Sequence, residues 1–180
     1  EIISGLCDGR TISGENGNYT FPNVTEYQQV TPADNVVYSA NWGFHKIPNN
    51  AFVDISGSSF TYTPPSGTKQ VIYSLDLAIL DYPLDNATGG WFKFFIDDDE
   101  CQNMRRCFFV NWGGDKQTFT YTIDIGTEND ISNGKLLSWT SAKTMKMKVV
   151  PTGSSSKNGF TLHVAGLNDN NAWTTDTDGS

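Results

Sequence analysis

The sequence predicts an all-β domain, an antiparallel β-sandwich of two sheets packed face to face, with an N-terminal arm. Three observations carry that expectation. Period-two alternation of apolar and polar residues recurs from about residue 57 to residue 166. No stretch shows a convincing amphipathic-helix period. The 11 Phe, 7 Tyr and 5 Trp, with abundant Thr, are the aromatic and β-branched residues that suit a half-buried pleated surface. Successive side chains on a strand point to opposite faces, so each alternating segment has one dry face and one wet face. At 180 residues the chain fits one domain, large enough for a core without cross-links.

Residues 1–50 are rich in Gly, Asn, Thr and Pro and read as an N-terminal arm with edge strands. Short strand-like pieces, Tyr19-Thr-Phe21 and Asn35-Val-Val-Tyr38, stand between turn signals. Asn41-Trp-Gly-Phe-His-Lys-Ile-Pro48 reads as a long loop or an edge strand. Such an arm packs across its own sandwich or reaches a neighbouring subunit.

Residues 51–166 form the predicted sandwich core. Phe52-Val-Asp-Ile55 and Ser59-Phe-Thr-Tyr-Thr63 lead into Pro64-Pro-Ser-Gly67, where two prolines that cannot donate to a ladder end the strand. Gln70 to Leu80 is the longest apolar strand, with Val71, Tyr73, Leu75, Leu77 and Ile79 on one face. Its other face, Ile72, Ser74, Asp76, Ala78 and Leu80, is mixed, as for a central strand only partly wet on that side. After a loop from Asp81 to Gly90 come Trp91-Phe-Lys-Phe-Phe-Ile96, four acids, and Cys107-Phe-Phe-Val-Asn-Trp112. Gly113-Gly-Asp115 reads as a hairpin turn into Gln117-Thr-Phe-Thr-Tyr-Thr-Ile-Asp-Ile125, whose Phe119, Tyr121, Ile123 and Ile125 share a face. Beyond the loop Gly126–Gly134, the strands Leu136–Trp139, Lys143–Val149 and Gly159–Val164 complete about nine or ten. Residues 167–180, rich in Asn, Asp and Thr, read as loop or tail.

The formal net charge of −8 disfavours nucleic acid, because a phosphate backbone would meet like-charge repulsion first. No apolar run approaches the ~20 residues of a membrane span, and none resembles a signal peptide. Three cysteines leave one over from any single pairing. Cys101 and Cys107 are spaced to close a small loop by a disulfide if their strands pair. Cys7 is then either buried and reduced or bridged to another chain.

For chemistry, Asp97-Asp-Asp-Glu100 is the candidate for a hard cation, with Asp97 and Asp99 as the ligands to a Ca2+ ion. Consecutive strand residues alternate in direction, so at most two of the four acids converge, and a solvated acidic hairpin is the ordinary reading. His45 and His163 lack an evident third zinc ligand, and there is no Gly-x-Ser-x-Gly elbow or phosphate loop. The sequence therefore points away from an enzyme. Trp91 and Trp139, inside apolar strands, are assigned to the core. Trp42 and Trp173, beside polar residues in loops, are the candidate ligand contacts, since an aromatic face can stack on a pyranose.

Three segments carry a resemblance: Ser56-Gly-Ser-Ser-Phe-Thr-Tyr-Thr-Pro-Pro-Ser-Gly-Thr-Lys-Gln-Val-Ile-Tyr73, Phe92-Lys-Phe-Phe-Ile-Asp97 and Leu137-Ser-Trp-Thr-Ser-Ala-Lys-Thr-Met145. With the opening Gly5-Leu-Cys-Asp-Gly-Arg10, they resemble uncharacterised virion proteins predicted from aquatic viruses. The resemblance spans most of residues 5–150 and departs after about Gly159. It implies a jelly-roll fibre-head or capsid-decorating domain, located on an extracellular virion and commonly trimeric. The partners it implies are other copies of the chain, other virion proteins and a host-surface glycan. A carbohydrate-binding module or lectin on the same sandwich is the alternative, and a secreted hydrolase or lyase domain is the third.

Overall fold

The longest alternating segment of the sequence becomes the longest strand of the structure, a computed structural model that describes residues 1–24, 28–30, 52–82, 88–110, 114–151 and 159–162. Thirteen strands run through these residues. They are β1 (Thr11–Gly14), β2 (Gly17–Thr20), β3 (Gln28–Val30), β4 (Val53–Asp54), β5 (Phe60–Tyr62), β6 (Gln70–Tyr82), β7 (Thr88–Ile96), β8 (Asp99–Glu100), β9 (Arg106–Val110), β10 (Gly114–Ile125), β11 (Lys135–Leu136), β12 (Lys143–Pro151) and β13 (Gly159–Leu162). Two 3-10 turns, Gln102–Met104 and Ile131–Asn133, are the only helical pieces among the described residues.

The strands form two layers and a separate hairpin. One layer has the order β11-β10-β6-β13-β3. The other has the order β4-β12-β7-β8, with β5 also bonded to β12 and β9 also bonded to β7. Pairing is antiparallel throughout except for the short β10–β11 contact. The predicted faces are the observed ones. Val71, Tyr73, Leu77 and Ile79 of β6, and Phe119, Tyr121, Ile123 and Ile125 of β10, are buried against Phe92, Phe94 and Ile96 of β7 and Met145, Met147 and Val149 of β12. Rings from the two layers meet directly. Phe94 stacks on Tyr121 with centroids 4.3 Å apart, Phe92 lies 4.2 Å from Phe119, and Phe108 meets Phe160 edge-on at 5.0 Å. Each such side chain stabilises the fold by about 1.5–3 kcal/mol on burial. The all-β sandwich is thus the fold.

Three expectations change here. The Gly113–Asp115 signal does not join a hairpin: β9 is bonded to β7 and β10 to β6, so the chain changes layer between them. A turn signal marks where a chain reverses, not which partner it then finds. The strand expected at Leu136–Trp139 ends at Leu136, because Lys135 and Leu136 touch β10 only at its last two residues. Trp91 is not core. It is out of phase with Phe92, Phe94 and Ile96, lies on the outer face, and is 37% exposed.

The arm is also more integrated than its composition suggests. Strand β3 is part of the five-stranded layer. The β1–β2 hairpin lies on β5, with Tyr19 5.2 Å from the Tyr62 ring, Phe21 5.2 Å from that of Phe60, and the Tyr19 hydroxyl donating to the Thr63 carbonyl at 2.9 Å. The segments expected at 35–38, 41–48 and 167–180 lie outside the described residues.

Candidate functional site

The acidic run closes the β7–β8 hairpin. Phe95 pairs with Glu100 and Ile96 with Asp99, which leaves Asp97 and Asp98 as the two turn residues. Asp97 takes φ 57°, a left-handed conformation that Asp tolerates better than most residues. The turn points its carboxylate at the start of β12, where it accepts from the Thr144 amide at 2.9 Å and the Lys143 ammonium at 3.0 Å. Partial burial opposes ionisation of Asp97, but those two donors outweigh it and hold the group below its ordinary value. Asp98 pairs with Lys146 at 2.9 Å, and the Asp99 side chain is exposed.

Glu100 lies between Lys93 at 3.0 Å and Arg105 at 2.6 Å. Burial again works against the charge, and the bonds from Arg105 and then Lys93 overcome it, so the carboxyl titrates below its ordinary range. Three of the four acids, Asp97, Asp98 and Glu100, therefore tie neighbouring segments together. The Asp97 carboxylate is engaged by Thr144 and Lys143 and the Asp99 side chain is exposed, and no group of three metal-capable side chains occurs among the described residues.

Cys101 and Cys107 are separate free thiols, and the expected link between them is not formed. The reason is topological. Strands β8 and β9 do not pair with each other; they follow one another along the same edge of β7. The Cys101 amide bonds to the Phe94 carbonyl, whereas Cys107 is opposite Trp91. Three strand residues separate these positions by roughly 10 Å, beyond the roughly 7 Å that a disulfide spans. The side chains also face opposite ways, Cys101 into the core and Cys107 outward. Burial, then the charges of Asp99 and Glu100, push the Cys101 thiol up to about 12, so it is not a nucleophile. Cys7 is half-buried and free, its Sγ 3.4 Å from the Gly57 carbonyl.

Trp139 is buried and donates its indole N–H to the Tyr62 carbonyl at 3.2 Å. Trp42 and Trp173, the candidate ligand contacts, lie outside the described residues, as do His45 and His163.

Two features went unseen in the sequence. The first is the outer face of β7 and β9, where exposed Trp91 lies opposite Cys107, and Phe109, 69% exposed, lies opposite Gly89. Strict alternation through Trp91–Ile96 was the signal for it. The second is a cavity of about 560 Å³ between the first residues of the chain and strands β5, β6 and β12. No local pattern announces it, since its walls come from segments distant in sequence. No helix of the described residues is long and apolar enough to cross a membrane. Comparison with protein-family models, with curated proteins and with solved structures finds no match to this chain.

Proposed function

We propose that the chain is a structural subunit of a virion, a jelly-roll domain that assembles with copies of itself as a homotrimer. The observation that supports this most is strand order. Leaving out the three two-residue strands β4, β8 and β11, one layer runs β3-β13-β6-β10 and the other β5-β12-β7-β9. Along these eight strands the chain changes layer at every step from β3 to β13 except between β7 and β9. Two Greek keys folded into a double sheet have this order, and jelly rolls of this kind build capsid and lectin domains. Self-association is favoured by the exposed Trp91 of β7 and Phe109 of β9, the latter an edge strand of its layer among the described residues; assembly covers such edges. The virion setting rests on the resemblance of the segments at 56–73, 92–97 and 137–145.

Light scattering on the purified protein, with and without reductant, tests the reading. A trimer has a mass of about three times 19.8 kDa, and Phe109→Lys, placing a charge at the edge, lowers it. A monomer at every concentration sinks the trimer and favours the carbohydrate-binding alternative.

A further inference from the structure

The 560 Å³ cavity is partly open to solvent and lies between the first residues of the chain and strands β5, β6 and β12. Phe60 and Tyr62 of β5 and Met145 of β12 form one wall, and Val71 and Leu75 of β6 form the other. Residues of the segment from Glu1 to Cys7 line its outer side, with Gly5 against Phe21. Gly5 permits this contact: a Cβ there would stand 2.7 Å from the Phe21 ring. Cys7 anchors the segment, its carbonyl accepting from the Val24 amide at 2.8 Å. The cavity falls within the size range of small-molecule sites.

The polar groups around it define what it would hold. The Tyr62 hydroxyl donates to Glu1 at 3.1 Å, that of Tyr73 to the Ser58 carbonyl at 2.5 Å, and that of Ser58 to the Ile55 carbonyl at 2.8 Å. Thr68 donates to the Pro65 carbonyl at 2.7 Å, and the Gln70 amide to Asp124 at 2.9 Å. Their hydroxyl protons, and one of the two protons of the Gln70 amide, are already committed within the protein. A sugar, which needs a set of directed hydrogen bonds, finds few donors here. Glu1 is the one charged side chain among the lining residues, so no cationic side chain is there to pair with an anionic head group.

We propose that this cavity binds an uncharged, predominantly apolar small molecule, held by shape and dispersion against the aromatic and aliphatic walls, with Glu1–Cys7 as its outer wall. The site is independent of the assembly reading and stands whether the protein is trimeric or monomeric.

The test is fluorescence titration with N-phenyl-1-naphthylamine, an uncharged apolar dye. Saturable, blue-shifted binding of one dye per chain is expected, with a Tm that rises as dye is added. Leu75→Trp and Val71→Phe, which fill the cavity from β6, each weaken binding at least tenfold. Phe109→Ser, on the exposed edge, leaves it unchanged. Near-ultraviolet circular dichroism checks each variant, and either filling variant that folds decides the comparison. The proposal is overturned if the wild-type protein shows no saturable binding or no rise in Tm. It is equally overturned if binding survives in a folded filling variant, or is lost in Phe109→Ser.

Discussion

Tyr121 shows how a single atom can oppose the packing around it. Its ring stacks on Phe94 at the centre of the sandwich, yet its hydroxyl is buried without a hydrogen-bond partner. Burial pushes the phenol up to about 12, so the group stays neutral and its cost is that of desolvation. Tyr121→Phe keeps the ring and removes the unsatisfied oxygen, and is expected to raise unfolding free energy by about 1 kcal/mol; a urea titration that shows a loss instead contradicts this account. Glu100 is the opposite case. With Lys93 only 6% exposed beside it, Glu100→Ala leaves a buried ammonium without this carboxylate and is expected to cost about 3 kcal/mol in the same titration. The acidic run was visible in the sequence, but its role was not. Whether Asp97 faces a cation, solvent or Lys143 is decided by a turn of φ 57°, which residue identity alone does not specify. The separation of Cys101 from Cys107 was hidden for the same kind of reason, since it depends on both flanking strands choosing β7 as partner.

At the scale of elements, alternation alone was enough to assign the faces of β6, β10 and β12, because a one-residue slip would have turned Phe119 or Met147 out of the core. The partners of the strands were not legible, since pairing follows from chain crossings that local pattern does not encode; β9 and β10 are the clear instance. Gly90 records how tightly these pairings are drawn. It sits between Phe108 of β9 and Pro151 of β12, and an added Cβ would lie 2.5 Å from the Phe108 ring and 2.7 Å from the Val150 carbonyl. One of those neighbours is backbone and cannot turn aside. Gly90→Ala is therefore expected to destabilise the protein by about 1–3 kcal/mol through overpacking, measured as a lower denaturation midpoint with unchanged slope.

For the whole molecule, the carboxylates set the response to acid. Asp97 and Glu100, with ordinary values of 3.8 and 4.5, both titrate lower when folded. Their contribution is complete above those ordinary values and is lost as pH falls through the lowered ones. The melting temperature is thus expected to hold steady from neutrality to about pH 5 and to fall below it. Glu100→Gln should flatten part of that fall, and a profile that instead rises on acidification refutes the linkage.

The position of β13 has a different consequence. It lies between β3 and β6, bonded to Gln28–Val30 on one side and Ile79–Tyr82 on the other, although it follows them by more than a hundred and by nearly eighty residues. A growing chain on the ribosome must therefore keep β3 and one flank of β6 unmated until β13 has emerged. Completion is late and non-local, which places the chain among slow folders and makes nascent, unfinished copies the species most in need of a chaperone.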